Sequence, residues 1–192
     1  MKEFEFTLKF SLPDTNTAED VLIKRLEEEG CDDALIGLGT SGRLALLFNR
    51  KGKTGLATVV SAIKNVEAAI PGIQLVEATP DLVGVSDIAG VLKISRQYVR
   101  KLILQNKNSF PLPVHEGKVV LWHLSNVLQW LAQKKQYSFD ASLTDIAQAN
   151  IQINLIREAS CVAPAIHSKV FFGSWLSNSN NSKWDALVRL TR

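Results

Sequence analysis

The stretch from Ser86 to Leu131 constrains this chain more than any other, because it sets two short helices and a rigid return in a fixed order. Ile88, Ala89 and Leu92 have the spacing of one helix face, with Ser86 as the expected N-cap. Lys93-Ile94 then leaves room only for a tight connection before Ser95 caps a second helix. Two helices crossing steeply over so short a turn need a small side chain at the contact, and Ala89 offers a methyl group there. The order is that of a helix-turn-helix.

On the second helix Val99, Leu102 and Ile103 fall on one side, whereas Arg96 and Arg100, and Gln97 and Lys101, are four residues apart and project from the other. Arg forks onto guanine O6 and N7, Gln does the same for adenine N6 and N7, and Lys contacts phosphate. That outward face therefore suits a major groove, against the blander reading of a solvated charged face. Phe110-Pro111-Leu112-Pro113-Val114 is expected to be rigid and extended, since each proline fixes its own φ and biases the residue before it away from helix. His115-Glu116-Gly117-Lys118 reads as a turn and 119–122 as a β-rich return strand, together a wing. Ser125 is the expected cap of a helix to about Gln136, with Leu124, Val127, Leu128 and Leu131 at core spacing.

On Ile88-Ala89, Ile94-Ser95-Arg96, Val99-Arg100, Phe110-Pro111, Pro113-Val114, Gly117, Trp122, Val127 and Trp130-Leu131, the segment resembles the winged-helix domains of AlpA-type phage regulators and excisionases, within the wider MerR-like group. The likeness covers about residues 82–135. It implies a second helix in the major groove of double-stranded DNA and a wing against backbone or minor groove. The expected DNA-binding residues are Ser95, Arg96, Gln97, Tyr98, Arg100, Lys101, Lys107, His115 and Lys118, with Arg96, Gln97 and Arg100 as readers and Lys118 as the wing-tip phosphate contact. Proteins of that type are short, whereas this chain extends well to either side of the domain.

Charge distribution agrees with the motif. The whole chain is only +3, but between Ile88 and Phe139 eight cations face one acid, Glu116, a local charge of +7, while the first 80 residues come to −3.

Upstream, Phe4, Phe6, Leu8 and Phe10 alternate with Glu5, Thr7 and Lys9, the period of a half-buried strand. Residues 18–29 read as a helix capped by Thr17 and stopped by Gly30, with Val21, Leu22 and Leu26 inward. Two strands, 34–38 and 43–48, a helix over 56–70 and a strand over 73–78 complete a β-α-β-β-α-β order, the order of a ferredoxin-like sandwich. Gly37-Leu38-Gly39-Thr40-Ser41-Gly42 matches the dinucleotide fingerprint literally, but a strand rather than a helix is expected after it, so it reads as a hairpin turn. The cluster Glu27-Glu28-Glu29 with Asp32-Asp33 reads as a solvated helix end.

The fold expected is α+β, with a sandwich over 1–79, a winged helix-turn-helix over 80–137 and a helical extension and tail over 138–192. Ser142-Leu143-Thr144-Asp145 resembles a capping box opening the last helix. Its stripe of Ile146, Ala149, Ile153 and Ile156 either packs on the central domain or meets its copy in another subunit, the second being favoured because helix-turn-helix readers commonly work as dimers. Residues 170–172 are apolar, and the short amphipathic ending at 184–190 suits a docking peptide or packing back onto the chain.

Other function classes find little footing. No apolar run reaches about 18 residues and the acidic start is unlike a signal peptide, so a cytoplasmic, non-membrane protein is expected. Cys31 and Cys161 suggest no disulfide framework, and His115, His123 and His167 have no metal spacing. No nucleophile elbow or paired acid marks an enzyme, and no cofactor or metal is expected. The expected function is sequence-specific DNA binding as a homodimeric bacterial or phage transcriptional regulator. The alternative is an adaptor in a mobile-element or defence complex that recruits a protein partner through its N-terminal domain or tail. An effector-sensing role for residues 1–79 stands third.

Overall fold

A computed structural model of the chain describes residues 1–14, 17–39, 42–134 and 140–161. The expectations for Thr40-Ser41, for Lys135 and Gln136, for His167 and for the apolar segments of the tail lie outside those residues. The fold is mixed α+β.

Strands β1 (Lys2–Ser11), β2 (Ala34–Gly37), β3 (Arg43–Gly52) and β4 (Gln74–Thr79), with helices α1 (Glu19–Glu28) and α2 (Gly55–Ala69), follow one another in the order β1-α1-β2-β3-α2-β4. The strands pair antiparallel as β2-β3-β1-β4. The alternation in β1 works as its period requires: Phe4, Phe6, Leu8 and Phe10 are all buried, and Phe6 pairs with Phe48, their rings stacked at 5.2 Å. Against this face α2 lays Val59, Ala62, Ile63 and Val66, none more than marginally accessible. Each such large apolar side chain contributes roughly 1.5–3 kcal/mol relative to exposure.

Details of this unit depart from the sequence reading. Helix α1 starts at Glu19 with Ala18 in the cap position and no side-chain cap, while Thr17 Oγ1 reaches Asp14 Oδ2 instead. Val21 faces outward, so only Leu22 and Leu26 anchor the helix. Strand β3 runs four residues past Phe48, since Asn49 to Gly52 continue the pairing with Glu5 to Lys2 of β1, and within this extension Arg50 has a partly buried site of its own. Its guanidinium forks onto Asp33 at 2.6 and 2.8 Å, donates to Asn65 Oδ1 at 2.8 Å and to Gly30 O at 2.7 Å, and lies 4.8 Å from the Phe48 ring centre. Asp33 is thus a structural anchor, not a member of a solvated acidic end. The glycines at 37–42 are followed by β3, not by a helix.

A second core forms around β5 (Leu82–Val83), α3 (Val85–Leu92), α4 (Arg96–Gln105), β6 (His115–Glu116), β7 (Val120–His123) and α5 (Leu124–Gln133). It gathers Ile88, Ala89, Val99, Phe110, Trp122, Val127, Leu128, Trp130 and Leu131. Its small sheet is ordered β5-β7-β6, and β5 is an element too short for periodicity to reveal.

Helix α6 (Ala141–Cys161) joins the two cores. Ile146, Ala149 and Ile153 enter the first, while Ala147 enters the second with Leu143 at its edge. The stripe is therefore covered by this same chain, and chiefly by the N-terminal core, which corrects the favoured expectation that it meets a second copy. Its N-terminus is held by Asp140, whose Oδ1 accepts from Ser142 N at 2.9 Å, rather than by a box at Ser142. That bond holds the Asp140 carboxyl below the usual carboxylate range. Among the described residues no helix is long and apolar enough to cross a membrane, and no group of His, Cys, Asp or Glu is placed to hold a metal ion.

Candidate nucleic-acid interface

The residues of α3 fix where α4 points. Ile88 and Ala89 are buried against the second core, and the helix begins one residue before Ser86, with Gly84 as N-cap. Asp87 Oδ2 accepts from Gly84 N at 2.8 Å, so the side-chain bond at this helix start comes from a carboxylate reaching back to the N-cap amide and not from the exposed Ser86 hydroxyl. At the far end Lys93 takes the left-handed conformation, φ 54°, with Lys93 N donating to Gly90 O at 3.2 Å and Ile94 N to Ala89 O at 3.0 Å. Those two bonds are a Schellman closure, and they reverse the chain within two residues.

Ser95 then caps α4 as its position requires, its Oγ accepting from Tyr98 N at 3.1 Å. Capping, rather than an outward contact, is what its hydroxyl does here. Val99 is fully buried, and Leu102 and Ile103 pack partly against the second core. Across the helix Arg96, Gln97, Arg100 and Lys101 are all exposed, and Tyr98 is half-exposed. Among the described residues none of those four makes an ion pair or a hydrogen bond through its side chain, so the donors are turned to solvent. Sequence reasoning missed Leu104 on the same outward side: it lies one turn beyond Arg100 and is 62% exposed. Four-residue spacing from Arg100 was the available signal.

Lys107 is exposed in the turn that follows α4. The chain then returns through Phe110, whose ring sits edge-on to Trp122 at 5.8 Å and to Trp130 at 5.0 Å. Trp122 Nε1 donates to Pro111 O at 3.1 Å, fixing the proline segment to β7. The β-hairpin that follows is smaller than expected and its turn comes later. His115 and Glu116 belong to β6, paired with Leu121 and Val120, and Gly117-Lys118-Val119 makes the reversal. Lys118 is exposed at that tip. A Cβ at Gly117 would meet His115 Nε2 at 2.7 Å, so glycine leaves the space the exposed imidazole occupies over the turn. After β7, α5 starts at Leu124 with His123 as N-cap, and Ser125 is buried rather than capping. Lys134 closes α5 with its ammonium 5.0 Å from the Trp130 ring centre.

Helix α4, the turn after it and the β6–β7 hairpin thus belong to one small core and carry eight of the nine expected contact residues as exposed side chains or, for Tyr98, as a half-exposed one; the ninth, Ser95, is a cap. Comparison with protein-family models, with curated proteins and with solved structures gives no match to this chain.

Proposed function

We propose that the chain is a sequence-specific double-stranded DNA-binding protein, with residues 80–137 acting as a winged helix-turn-helix beside an N-terminal ferredoxin-like sandwich. The single observation that carries this reading is the exposed, unpaired donor face of α4, Arg96, Gln97, Arg100 and Lys101, standing opposite the buried Val99. Arg96 and Arg100 read guanine edges, Gln97 an adenine edge, and Leu104 packs against a thymine methyl group. Lys101, Lys107 and Lys118 hold phosphates and set the register, with Tyr98 and His115 at the margins of the contact. The strand order β2-β3-β1-β4 supports the sandwich, and the β5-β7-β6 sheet behind the turn of α3 and α4 supports the wing. The likeness to AlpA-type and MerR-like domains and the habit of such readers support a homodimeric transcriptional regulator on paired half-sites.

Selection of random duplexes by the purified protein, followed by sequencing, tests this. A palindromic consensus with half-sites about one helical turn apart is expected. Binding without base preference would move the protein to the adaptor reading. No binding at low salt would overturn both.

A further inference from the structure

The connection between the two cores, Thr79-Pro80-Asp81, is enclosed by polar side chains of α6 and β7. Asp81 is 1% exposed, yet every one of its oxygen atoms that the fold presents is used. Its Oδ2 accepts from Asn154 Nδ2 at 2.7 Å, its Oδ1 lies 2.7 Å from His123 Nδ1, and its carbonyl oxygen accepts from Leu124 N at 2.7 Å. A carboxylate can only accept, so His123 Nδ1 is the donor in its contact with Asp81. Asn154 is equally committed, with Nδ2 also donating to Ala78 O and Oδ1 accepting from Ala78 N, both at 2.8 Å. Asn150, a turn earlier on α6, donates to Pro80 O at 3.1 Å.

These bonds link elements that answer to different cores. Ile146, Ala149 and Ile153 fix α6 to the N-terminal core, so the position of Asn154 is dictated there. His123 ends β7, the strand that returns from the wing tip at Lys118, and its side chain is 15% exposed. The local sheet is too short to hold the wing by itself: β5 pairs with β7 at only Leu82–His123 and Val83–Trp122, and β6 at only two further positions. A two-residue ladder gives little resistance to rocking.

We infer that Asp81, His123 and Asn154 are positioning residues for the wing, through which α6 and the N-terminal core set the angle at which Lys118 meets DNA. This rests on the DNA-binding reading above and names how that same interface is controlled. Helix α4 takes its own orientation from α3 and the Lys93 turn, so the cluster governs the wing and leaves the recognition helix alone. A ligand or partner that shifts α6 against β4 therefore changes the wing's share of DNA affinity without touching DNA.

The test combines a double-mutant cycle on DNA affinity with hydrogen exchange, both on the full chain. In the wild type Lys118→Ala is expected to weaken binding about fivefold, the size of one phosphate contact. In a His123→Ala background that penalty falls below about twofold, while the Arg100→Ala penalty is the same in both, and His123→Asn, whose amide nitrogen replaces Nδ1 as donor, restores the wild-type pattern. Amides of β7 exchange about tenfold faster in His123→Ala, those of β1 and α2 do not, and Asn154→Ala reproduces the effect from the other side of the cluster. Persistence of the full Lys118 penalty in His123→Ala, or unchanged β7 exchange in both variants, overturns the inference. If the wild type binds no duplex, the DNA reading fails, and the exchange measurement alone decides whether the cluster holds the wing strand.

Discussion

Gly55, the first residue of α2, lies so close to Asp145 of α6 that a Cβ there would stand 2.8 Å from the Asp145 carbonyl oxygen and 3.1 Å from Ile146 N. Backbone, not a flexible side chain, fills that space, so the absence of a side chain at Gly55 is what lets α6 settle into the N-terminal core. Gly55→Ala is expected to push the helices apart and destabilise the chain by about 1–3 kcal/mol, the usual consequence of overpacking. Urea denaturation measures it, and an unchanged midpoint would mean that α6 is not seated against α2 as described.

The turn between α3 and α4 predicts a change of the opposite sign. Lys93 holds φ 54°, a conformation in which a Cβ crowds the following carbonyl. Lys93→Gly is expected to raise stability by about 0.5–1 kcal/mol, after allowing for the greater freedom of glycine in the unfolded chain. Loss of stability on that substitution would show that the left-handed turn is not formed.

Trp122 joins the proline segment, Phe110 and the second core, and is 5% exposed. Its replacement by alanine leaves a cavity and an unpaired Pro111 carbonyl, at a cost of about 3–5 kcal/mol. Thermal unfolding followed by circular dichroism reports it directly. Trp122→Phe keeps most of the volume and is expected to lose less.

On DNA, Arg100 and Lys118 separate in kind. Arg100→Ala is expected to cost about 1–3 kcal/mol at the selected site and to relax preference at one base position. Lys118→Ala weakens all sequences alike and flattens the slope of log affinity against log salt by about one, from roughly −4 to −6 in the wild type. Identical sequence preference in the two variants would remove Arg100 from the readers.

Cys31 gives a pH prediction. Burial is the main cause that pushes its thiol up to about 11 from an ordinary 9.0, opposed by the nearby Arg50 guanidinium. The folded value lies above the unfolded one, so the neutral thiol's contribution to stability is whole below about pH 9 and is lost as pH rises towards 11. At pH 8 an alkylating reagent is expected to label the exposed Cys161 and to spare Cys31 until the chain unfolds. Mass spectrometry of the two peptides distinguishes them, and equal labelling rates would contradict the burial of Cys31.

Much of the local structure was legible because it rests on periodicity. The alternation Phe4, Phe6, Leu8, Phe10 can bury one face only as a strand, and Val99, Leu102 and Ile103 can share a face only on a helix. Caps were read less well: Ser86, Thr17, Ser125 and Ser142 all have the right chemistry, but Asp87 and Asp140 provide side-chain oxygens at two of those helix starts, and at the other two no side chain caps. Propensity ranks candidates for a cap and does not say which residue the chain brings within 3 Å of the amide. The donors on the outward face of α4 were legible, since helical spacing alone puts Arg96, Gln97, Arg100 and Lys101 together, whereas the exposed Leu104 beside them was passed over.

What the amino-acid order determined by itself is therefore the set of elements and the chemistry each one shows: a strand with a phenylalanine face, a helix with a donor face, a proline-stiffened return to a short hairpin. Tertiary structure alone decided how the two cores are joined. Asn150 and Asn154 stand within the apolar spacing of α6, and nothing near them in sequence announces Pro80, Ala78 or Asp81, some seventy residues away, as their partners. Most buried polar groups find their complement wherever the fold delivers one, and that is a property of the packed chain and not of any segment of it.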